Sequence, residues 1–274
     1  MRFTVLGASG FIGSHQLTHL NRLGHDCYAP TRNDPLVFSK DLGHVFYCIG
    51  LTADFRQRPF DTVQAHICHL AEILQKTRFE SLLYLSSSRI YGNGHSSDED
   101  VTLQANPQNF NDFYNLTKMT GEALCFSVGL PNVRVVRLSN VYGEDFSSGN
   151  FLSSIIRDAL IKKSVVVQTT LESSKEYVSV NDVVKVLTDI ALSGRYRVYN
   201  VASGMNVTNR ALLEKLSGIS ECTFSATKDA PTIQMPPINI QRVQSEFGFA
   251  PSSILADLEA LVLQYRQASN HDKN

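Results

Sequence analysis

Phe3-Thr-Val-Leu6 runs directly into Gly7-Ala-Ser-Gly10-Phe-Ile-Gly13, and Ser14 to Leu23 then carries apolar residues at helical spacing up to Gly24. A β-branched strand, a glycine turn and a helix in that order constrain this chain more than any other stretch. Glycines at these positions permit a tight turn, close approach of backbone to a pyrophosphate, and close helix-on-strand packing. The helix N-terminus adds amide donors and partial positive charge for phosphate oxygens. The placement of the glycines, after the first strand and before a helix, predicts a dinucleotide site.

A second strand is predicted over Asp26 to Pro30, followed by Thr31-Arg32-Asn33. An acidic residue at this strand end would bind a ribose 2'-hydroxyl; here Thr31 stands there and Arg32 follows. A guanidinium suits a 2'-phosphate, which favours NADP over NAD. The next strand, His44 to Ile49, comes too soon for a full strand-helix-strand crossover. Either a helix and strand are reduced here, or a loop near Asp34-Pro35 is missing from the chain. Gly50-Leu51 closes that strand.

A helix is predicted from Phe60 to Lys76, apolar on more than one side, which suits a buried or subunit-facing helix. It carries His66, Cys68 and His69, but no second Cys/His group follows at zinc spacing, so no metal site is expected. Ser81 to Ser86 and Val133 to Leu138 read as buried strands. Strands alternating with helices predict an α/β fold, a doubly wound parallel-sheet Rossmann domain with ligands at the strand C-termini. After Gly143 the character changes. A helix over Phe151 to Ile161, a strand over Ser164 to Thr169, a strand-to-helix passage from Lys175 to Asp182, a strand over Arg197 to Ala202, a helix over Asn209 to Leu216 and an irregular run from Ser217 to Asn239 are expected. Residues 1–145 are assigned to the Rossmann domain, with 176–202 returning to it. Residues 146–175 and 203–274 form a smaller C-terminal α/β substrate lobe.

Tyr114-Asn-Leu-Thr-Lys118 places a phenol and an ammonium four apart, on one face of a helix. A free phenol, with a pKa near ~10, is a weak base at neutral pH, and a neighbouring ammonium should lower that value. Tyr114 with Lys118 is therefore a candidate acid/base for a hydroxyl proton, and Ser87, at the end of a buried strand, could bond the same oxygen.

Composition excludes several classes of function. The chain is 43% hydrophobic and 19% charged with a formal net charge of −1, so no nucleic-acid partner is expected. Five scattered cysteines, mostly in apolar runs, predict reduced, buried thiols and a cytoplasmic protein. The chain opens on a strand with no charged leader, no apolar run reaches the ~18 residues of a membrane span, and the tail after Gln267 is expected to fray.

Gly7-x-x-Gly10-x-x-Gly13, Ser86-Ser-Ser-Arg-Ile-Tyr-Gly92, Tyr114-x-x-x-Lys118 and Arg137-Leu-Ser-Asn-Val-Tyr-Gly143 come in the order seen in the extended short-chain dehydrogenase/reductases. The chain resembles, more narrowly, the NAD-dependent epimerase/dehydratase family that modifies nucleotide sugars; Tyr199-Asn-Val-Ala-Ser-Gly204 and Phe247-Gly-Phe-Ala-Pro251 match its later signatures. The resemblance implies Ser87, Tyr114 and Lys118 as catalytic residues. It implies a cofactor, NADP or NAD, held by Gly7, Ser9, Gly10, Phe11, Ile12, Gly13, Thr31, Arg32, Gly50, Leu51 and Ser86 together with Tyr114 and Lys118. Substrate contacts would come from Ser88, Arg89, Asn140, Asn150, Lys175 and Arg242. A homodimer built on the 60–76 helix and the helix carrying Tyr114 is also implied.

Two departures stand out. The Asp-Glu pair that follows the catalytic Ser/Thr in the family's 4,6-dehydratases is here Ser88-Arg89, which removes the acid and base for water elimination. The family's C-terminal diphosphate-gripping arginine has no match in Ala230 to Pro237; Arg242 or Lys228 are the substitutes at hand. The expected function is an NAD(P)-dependent epimerase or ketosugar reductase on a nucleotide sugar. The alternatives are a reductase or dehydrogenase of a non-nucleotide carbonyl substrate, or a catalytically silent dinucleotide-binding regulatory protein.

Overall fold

A computed structural model describes every residue except Ala53, Asn93, Ser147 and 272–274. The chain packs as two units: Met1–Ser139 with Val180–Val201 and Asn239–Phe249, and Asn140–Ser179 with Ala202–Ile238 and Ala250–Asn274.

The first unit is a six-stranded sheet flanked by helices, with every neighbouring pair parallel. Its strands are β1 (Arg2–Leu6), β2 (Asp26–Tyr28), β3 (His44–Tyr47), β4 (Ser81–Ser87), β5 (Val133–Leu138) and β9 (Val198–Val201), in the order β2-β1-β3-β4-β5-β9. The helix α1 (Phe11–Arg22) follows β1. Because β1 pairs with β2 on one side and β3 on the other, the chain reverses its direction of travel across the sheet there. The carboxyl ends of β1 and β3 flank the crevice where open α/β sheets bind ligands. Phe3, Thr4, Val5, Val45, Phe46 and Tyr47 are all fully buried. Each such apolar side chain stabilises the fold by roughly 1.5–3 kcal/mol.

The short link after β2 is a reduced crossover. Residues 29–43 contain a 3-10 turn, Pro35–Phe38, begun by Asp34, whose carboxylate accepts the Leu36 amide at 3.0 Å, and an isolated bridge from Asp41 to Arg78. Among the described residues no strand lies outside β2, which ends at Tyr28 and forms the sheet edge.

The single helix expected over Phe60 to Lys76 is interrupted. It consists of α2 (Pro59–Val63), a π-helical turn (Gln64–Cys68) and α3 (His69–Lys76). Two buried phenols rise from the sheet beneath it: Tyr47 donates to the carbonyl of Ala65 at 2.6 Å and Tyr84 to that of His66 at 3.4 Å. A π turn leaves carbonyls outside the regular ladder, and these phenols take them. The helix α4 (Phe113–Ser127) packs alongside through Gly121, where a Cβ would lie 2.4 Å from the Tyr84 hydroxyl.

The return to the first unit is α6 (Val180–Ser193), which leads to β9, and α8 (Gln241–Phe247). The α8 segment falls within the residues that sequence assigns to the smaller lobe. It is held by side chains: Glu246 accepts the Tyr199 hydroxyl at 2.7 Å, and Arg242 donates to the Val198 carbonyl at 2.9 Å.

The second unit holds β6 (Asn140–Tyr142), β8 (Ser174–Ser179) and β10 (Asn206–Thr208) in one sheet, and β7 (Ser164–Val167) with β11 (Thr223–Ala226) in another. The helices α5 (Phe151–Ile161), α7 (Asn209–Ser220) and α9 (Ile254–His271) enclose a core containing Leu152, Ile156, Leu213, Leu216, Leu258 and Val262. The run from Ser217 is less irregular than its composition suggests, since α7 extends to Ser220 and β11 pairs in parallel with β7. Residues 140–145 belong here because β6 pairs with β8. The last helix continues past Gln267 to His271; 272–274 lie outside the described residues.

All five cysteines are free; Cys125 and Cys222 are buried, but Cys68 is exposed, on the outer face of the π turn. Among the described residues no helix is long and apolar enough to cross a membrane, and no three His, Cys, Asp or Glu side chains cluster as metal ligands.

Candidate active site

The glycine turn after β1 is built by contact. Gly7 has φ +84°, and its Cβ would sit 3.0 Å from the backbone of Cys48 and Ile49. A Cβ on Gly13 would lie 2.2 Å from the Gly7 carbonyl, so α1 can approach β1 only with glycine there. Gly10 differs: its nearest neighbour would be 3.4 Å away. Its amide closes the turn onto the Gly7 carbonyl at 3.0 Å, and as the N-cap of α1 it supplies no capping side chain. The amides of this turn, from Ser9 through Phe11 and Ile12, therefore lie at an uncapped helix start, where an anion is favoured. Thr31 and Arg32 are exposed beyond β2.

Past β3, Gly50 and Leu51 meet the helix that carries Tyr114 through His66. A Cβ on Gly50 would come within 3.1 Å of His66 Nε2 and 3.5 Å of Lys118 Nζ. Glycine is what fits beside that imidazole. The Leu51 amide donates to His66 Nε2 at 3.2 Å, and His66 Nδ1 lies 2.9 Å from Thr117 Oγ1, which itself donates to the Tyr114 carbonyl at 2.8 Å. Nε2 must therefore carry the lone pair and Nδ1 the proton. Burial first, and Lys118 second, push the His66 pKa down to about 2, so the ring stays neutral. Sequence offered His66 only as a rejected metal ligand; its place in this relay was not foreseen.

Tyr114 and Lys118 lie one turn apart on α4 and are 3% and 5% exposed. The hydroxyls of Ser87 and Thr52 neighbour the Tyr114 phenol and favour its ionised form. Burial pushes its pKa up, against the opposing pull of Ser87, Thr52 and the Arg89 guanidinium. This corrects the expected electrostatics: the charge that lowers the phenol is Arg89, not Lys118. The ammonium instead donates to the Leu85 carbonyl at 2.8 Å and sits 5.0 Å from the Tyr84 ring centroid. Burial pulls its pKa down to about 7, with Glu122 opposing. Thr52 was missed by sequence, although a hydroxyl two residues past Gly50 at a parallel strand's carboxyl end was the available signal.

Ser86, Ser87, Ser88 and Arg89 separate by face at the end of β4. Ser87 Oγ accepts the Arg89 amide at 3.2 Å. Ser86 turns the other way and donates to Glu122 at 2.5 Å. That carboxylate pairs with Arg137 at 2.7 Å, both almost wholly buried, and Arg137 also donates to the Tyr91 hydroxyl at 2.7 Å. Ser88 is buried at the start of a 3-10 turn. The Arg89 guanidinium lies 5.3 Å from the Tyr114 ring centroid.

Arg242 is not brought to this group. It pairs with Asp100 at 2.5 Å and with Glu99 at 3.8 Å and donates to the Val198 carbonyl. That engagement takes up the donors a diphosphate would need. In the second unit, Asn140 donates to the Glu176 carbonyl at 2.8 Å. Asn150 caps α5 by accepting the Ser153 amide at 2.9 Å. Lys175 lies 4.1 Å from the ring centroid of Phe151, the first residue of α5.

The first unit thus has the parallel Rossmann architecture, with a Tyr-Ser-Thr hydroxyl group and a buried lysine beside its topological switch point. Residues 3–202 match the model of the NAD dependent epimerase/dehydratase family, and the chain belongs to that family. It is 24% identical to UDP-glucuronic acid decarboxylase 6 of Arabidopsis thaliana, over 92% of this chain and 84% of that protein. It is 27% identical to GDP-6-deoxy-D-mannose reductase of Pseudomonas aeruginosa, over 83% of each chain. Among solved structures, MoeE5 in complex with UDP-glucose and NAD matches with a TM-score of 0.82 at 20% identity, over 98% of this chain and 99% of that one. RMD from Pseudomonas aeruginosa complexed with NADPH matches at 0.78 and 23%, over 97% and 99%. These likenesses show a shared fold.

Proposed function

We propose that the protein is a nicotinamide-dinucleotide-dependent enzyme of nucleotide-sugar metabolism, acting at a sugar hydroxyl or keto group. The observation that carries this reading is the buried Tyr114 phenol, one helical turn from the buried Lys118 and neighboured by the Ser87 and Thr52 hydroxyls, in the unit that also contains the glycine turn. The decarboxylase and the GDP-6-deoxy-D-mannose reductase named above are enzymes of nucleotide sugars, MoeE5 is bound to one, and NAD and NADPH both occur among the solved structures.

The residues present fit a dinucleotide. Gly10 leaves open space at an uncapped helix start, and Gly7 and Gly13 fill only their own turn. Gly7 to Gly13 would hold the pyrophosphate, Gly50 and Leu51 the adjoining portion, and Lys118 the nicotinamide ribose. Arg32, exposed beyond β2 and in no ion pair among the described residues, would take a 2'-phosphate, which favours NADP. Ser86 is committed to Glu122 and is left out of this set. When bound, the dinucleotide supplies the redox half of the reaction.

The protein's own part is proton handling. Tyr114 Oη holds the proton that is given to, or taken from, the sugar oxygen. Ser87 and Thr52 donate to or accept from the same oxygen and so fix its position. With a phenol whose pKa is raised, Tyr114 is better suited as the resting acid than as the resting base, which favours reduction of a ketosugar. Asn140, Asn150 and Lys175 are proposed substrate contacts. A homodimer through α4 and the Pro59–Lys76 segment remains part of the proposal; Phe60, 87% exposed, is the apolar residue it would cover.

Incubation with NADPH and a nucleotide 4-ketosugar tests the reductase. Consumption of NADPH is expected. A tightly held cofactor with no net consumption, and inversion at a sugar carbon, would establish an epimerase instead.

A further inference from the structure

Two guanidinium groups that pair with no carboxylate among the described residues stand beside the Tyr114 phenol. Arg56 follows β3 and Arg89 follows β4, and both lie over the Phe55 ring, at 4.5 and 5.0 Å from its centroid. Phe55 is 1% exposed and its ring centroid is 5.4 Å from that of Tyr114. Among the described residues, the hydrogen bonds of both arginines go to Asn111: Arg56 Nη2 donates to its Oδ1 at 2.8 Å, and Arg89 Nη2 to its carbonyl at 3.5 Å. Both acceptors are neutral. Asp112, the carboxylate near enough to act on Arg89, already accepts the Asn106 amide at 3.0 Å and Asn115 Nδ2 at 3.4 Å.

The two cations are close enough to oppose each other, and Arg89 is half-buried. Such an arrangement costs free energy that an anion seated against both would return. A guanidinium presents five donors in a planar fork that matches a carboxylate, and most of those ten donors have no partner here.

We propose that Arg56 and Arg89 receive a carboxylate carried by the sugar itself, next to the oxygen handled by Tyr114, so that the substrate is a hexuronic acid derivative and not a neutral hexose. This rests on the proposed assignment of Tyr114 to chemistry on a sugar. It also gives a use to Ser88-Arg89, where the resemblance expects Asp-Glu in dehydratases: the position holds a cation suited to binding rather than an acid suited to elimination.

The test is calorimetry on the full-length protein saturated with dinucleotide, with UDP-glucuronate against UDP-glucose, and free glucuronate against glucose. The wild type should prefer the acidic member by roughly tenfold or more, the size of a charge-assisted hydrogen-bond contribution. Arg89→Gln and Arg56→Ala should each weaken the acidic member at least tenfold more than the neutral one, with the melting temperature unchanged. Equal weakening of both nucleotide sugars in the variants would mean that the arginines grip the diphosphate, and would overturn the inference. So would the absence of any acid preference in the wild type. Binding of free glucuronate but of neither nucleotide sugar would reject the nucleotide-sugar assignment and retain the carboxylate site.

Discussion

His66 accepts the backbone amide of Leu51 through Nε2 at 3.2 Å, so a side chain from the π turn ties the loop after β3 to the helix that carries Tyr114. The other ring nitrogen reaches Thr117, and Thr117 reaches the Tyr114 carbonyl. His66 touches neither reacting atom. It is a positioning residue, and its neutral state is a consequence of burial.

That neutrality has a pH signature. His66 has a pKa pushed to about 2 in the folded protein, against ~6.5 unfolded. The unfolded chain therefore binds more protons between these values, and stability falls as pH drops below 6.5. Urea melts from pH 7.5 to 4.5 should show a steeper decline for the wild type than for His66→Gln. At pH 7.5 the variant should lose about 1–3 kcal/mol from the unsatisfied partners. Parallel curves would show that His66 does not titrate as described.

Tyr114→Phe should reduce kcat by roughly a hundredfold or more, the usual contribution of general acid–base catalysis, with dinucleotide affinity retained. Thr52→Val should lower kcat by about tenfold, with a smaller change in KM, because it removes a hydroxyl that neighbours the Tyr114 phenol and favours its ionised form. Steady-state kinetics with fluorescence titration of the dinucleotide decide both. A Thr52→Val enzyme with unchanged kcat excludes Thr52 from the reacting group.

The glycines should separate by role. Gly10→Ala has room, with its nearest atom at 3.4 Å, so the protein should fold normally but bind dinucleotide at least tenfold more weakly. Gly13→Ala would drive a Cβ to 2.2 Å from the Gly7 carbonyl and should destabilise the fold by several kcal/mol, of the order of ~3, as overpacked cores do. Thermal melts and dinucleotide titrations of the two variants give opposite patterns if the turn works this way.

Lys118 has a pKa lowered to about 7 when folded, against ~10.4 unfolded. Across that window the unfolded chain holds more protons, so stability without dinucleotide should rise as pH increases from 7 towards 10. The scale is on the order of 4 kcal/mol from ~1.4 kcal/mol per pKa unit. Lys118→Met should flatten the curve. A Lys118→Met melt that still climbs over pH 7–10 would assign the effect to another group.

The buried Glu122–Arg137 pair carries Ser86 and Tyr91 with it. Arg137→Met leaves an uncompensated buried carboxylate and should cost about 3–5 kcal/mol, read as a lower urea midpoint. Glu122→Gln with Arg137→Met together should recover part of that loss; additive losses would deny the coupling.

Much of the architecture is legible in local signals. The Gly7 to Gly13 turn sits between a β-branched strand and an amphipathic helix, and the alternation of strands and helices requires a parallel sheet. The edges of that reading fail where short-range chemistry is silent. Thr223–Ala226 is too short and too polar to announce a strand, and its pairing with Ser164–Val167 decides it. The π turn at Gln64–Cys68 is invisible in helical periodicity, because it is matched to Tyr47 and Tyr84 hydroxyls on two separate strands.

By itself, the order of residues determined the sheet class, the glycine cradle and the Tyr114–Lys118 spacing, since each depends on neighbours within a turn or two of chain. Tertiary structure alone decided which groups act on the phenol. It placed Arg89 and Thr52 at Tyr114 and turned Lys118 towards the Leu85 carbonyl. It also committed Arg242 to Glu99 and Asp100. Those outcomes rest on burial and on distances between residues far apart in the chain, and a pKa or an ion pair exists only once the fold has fixed both.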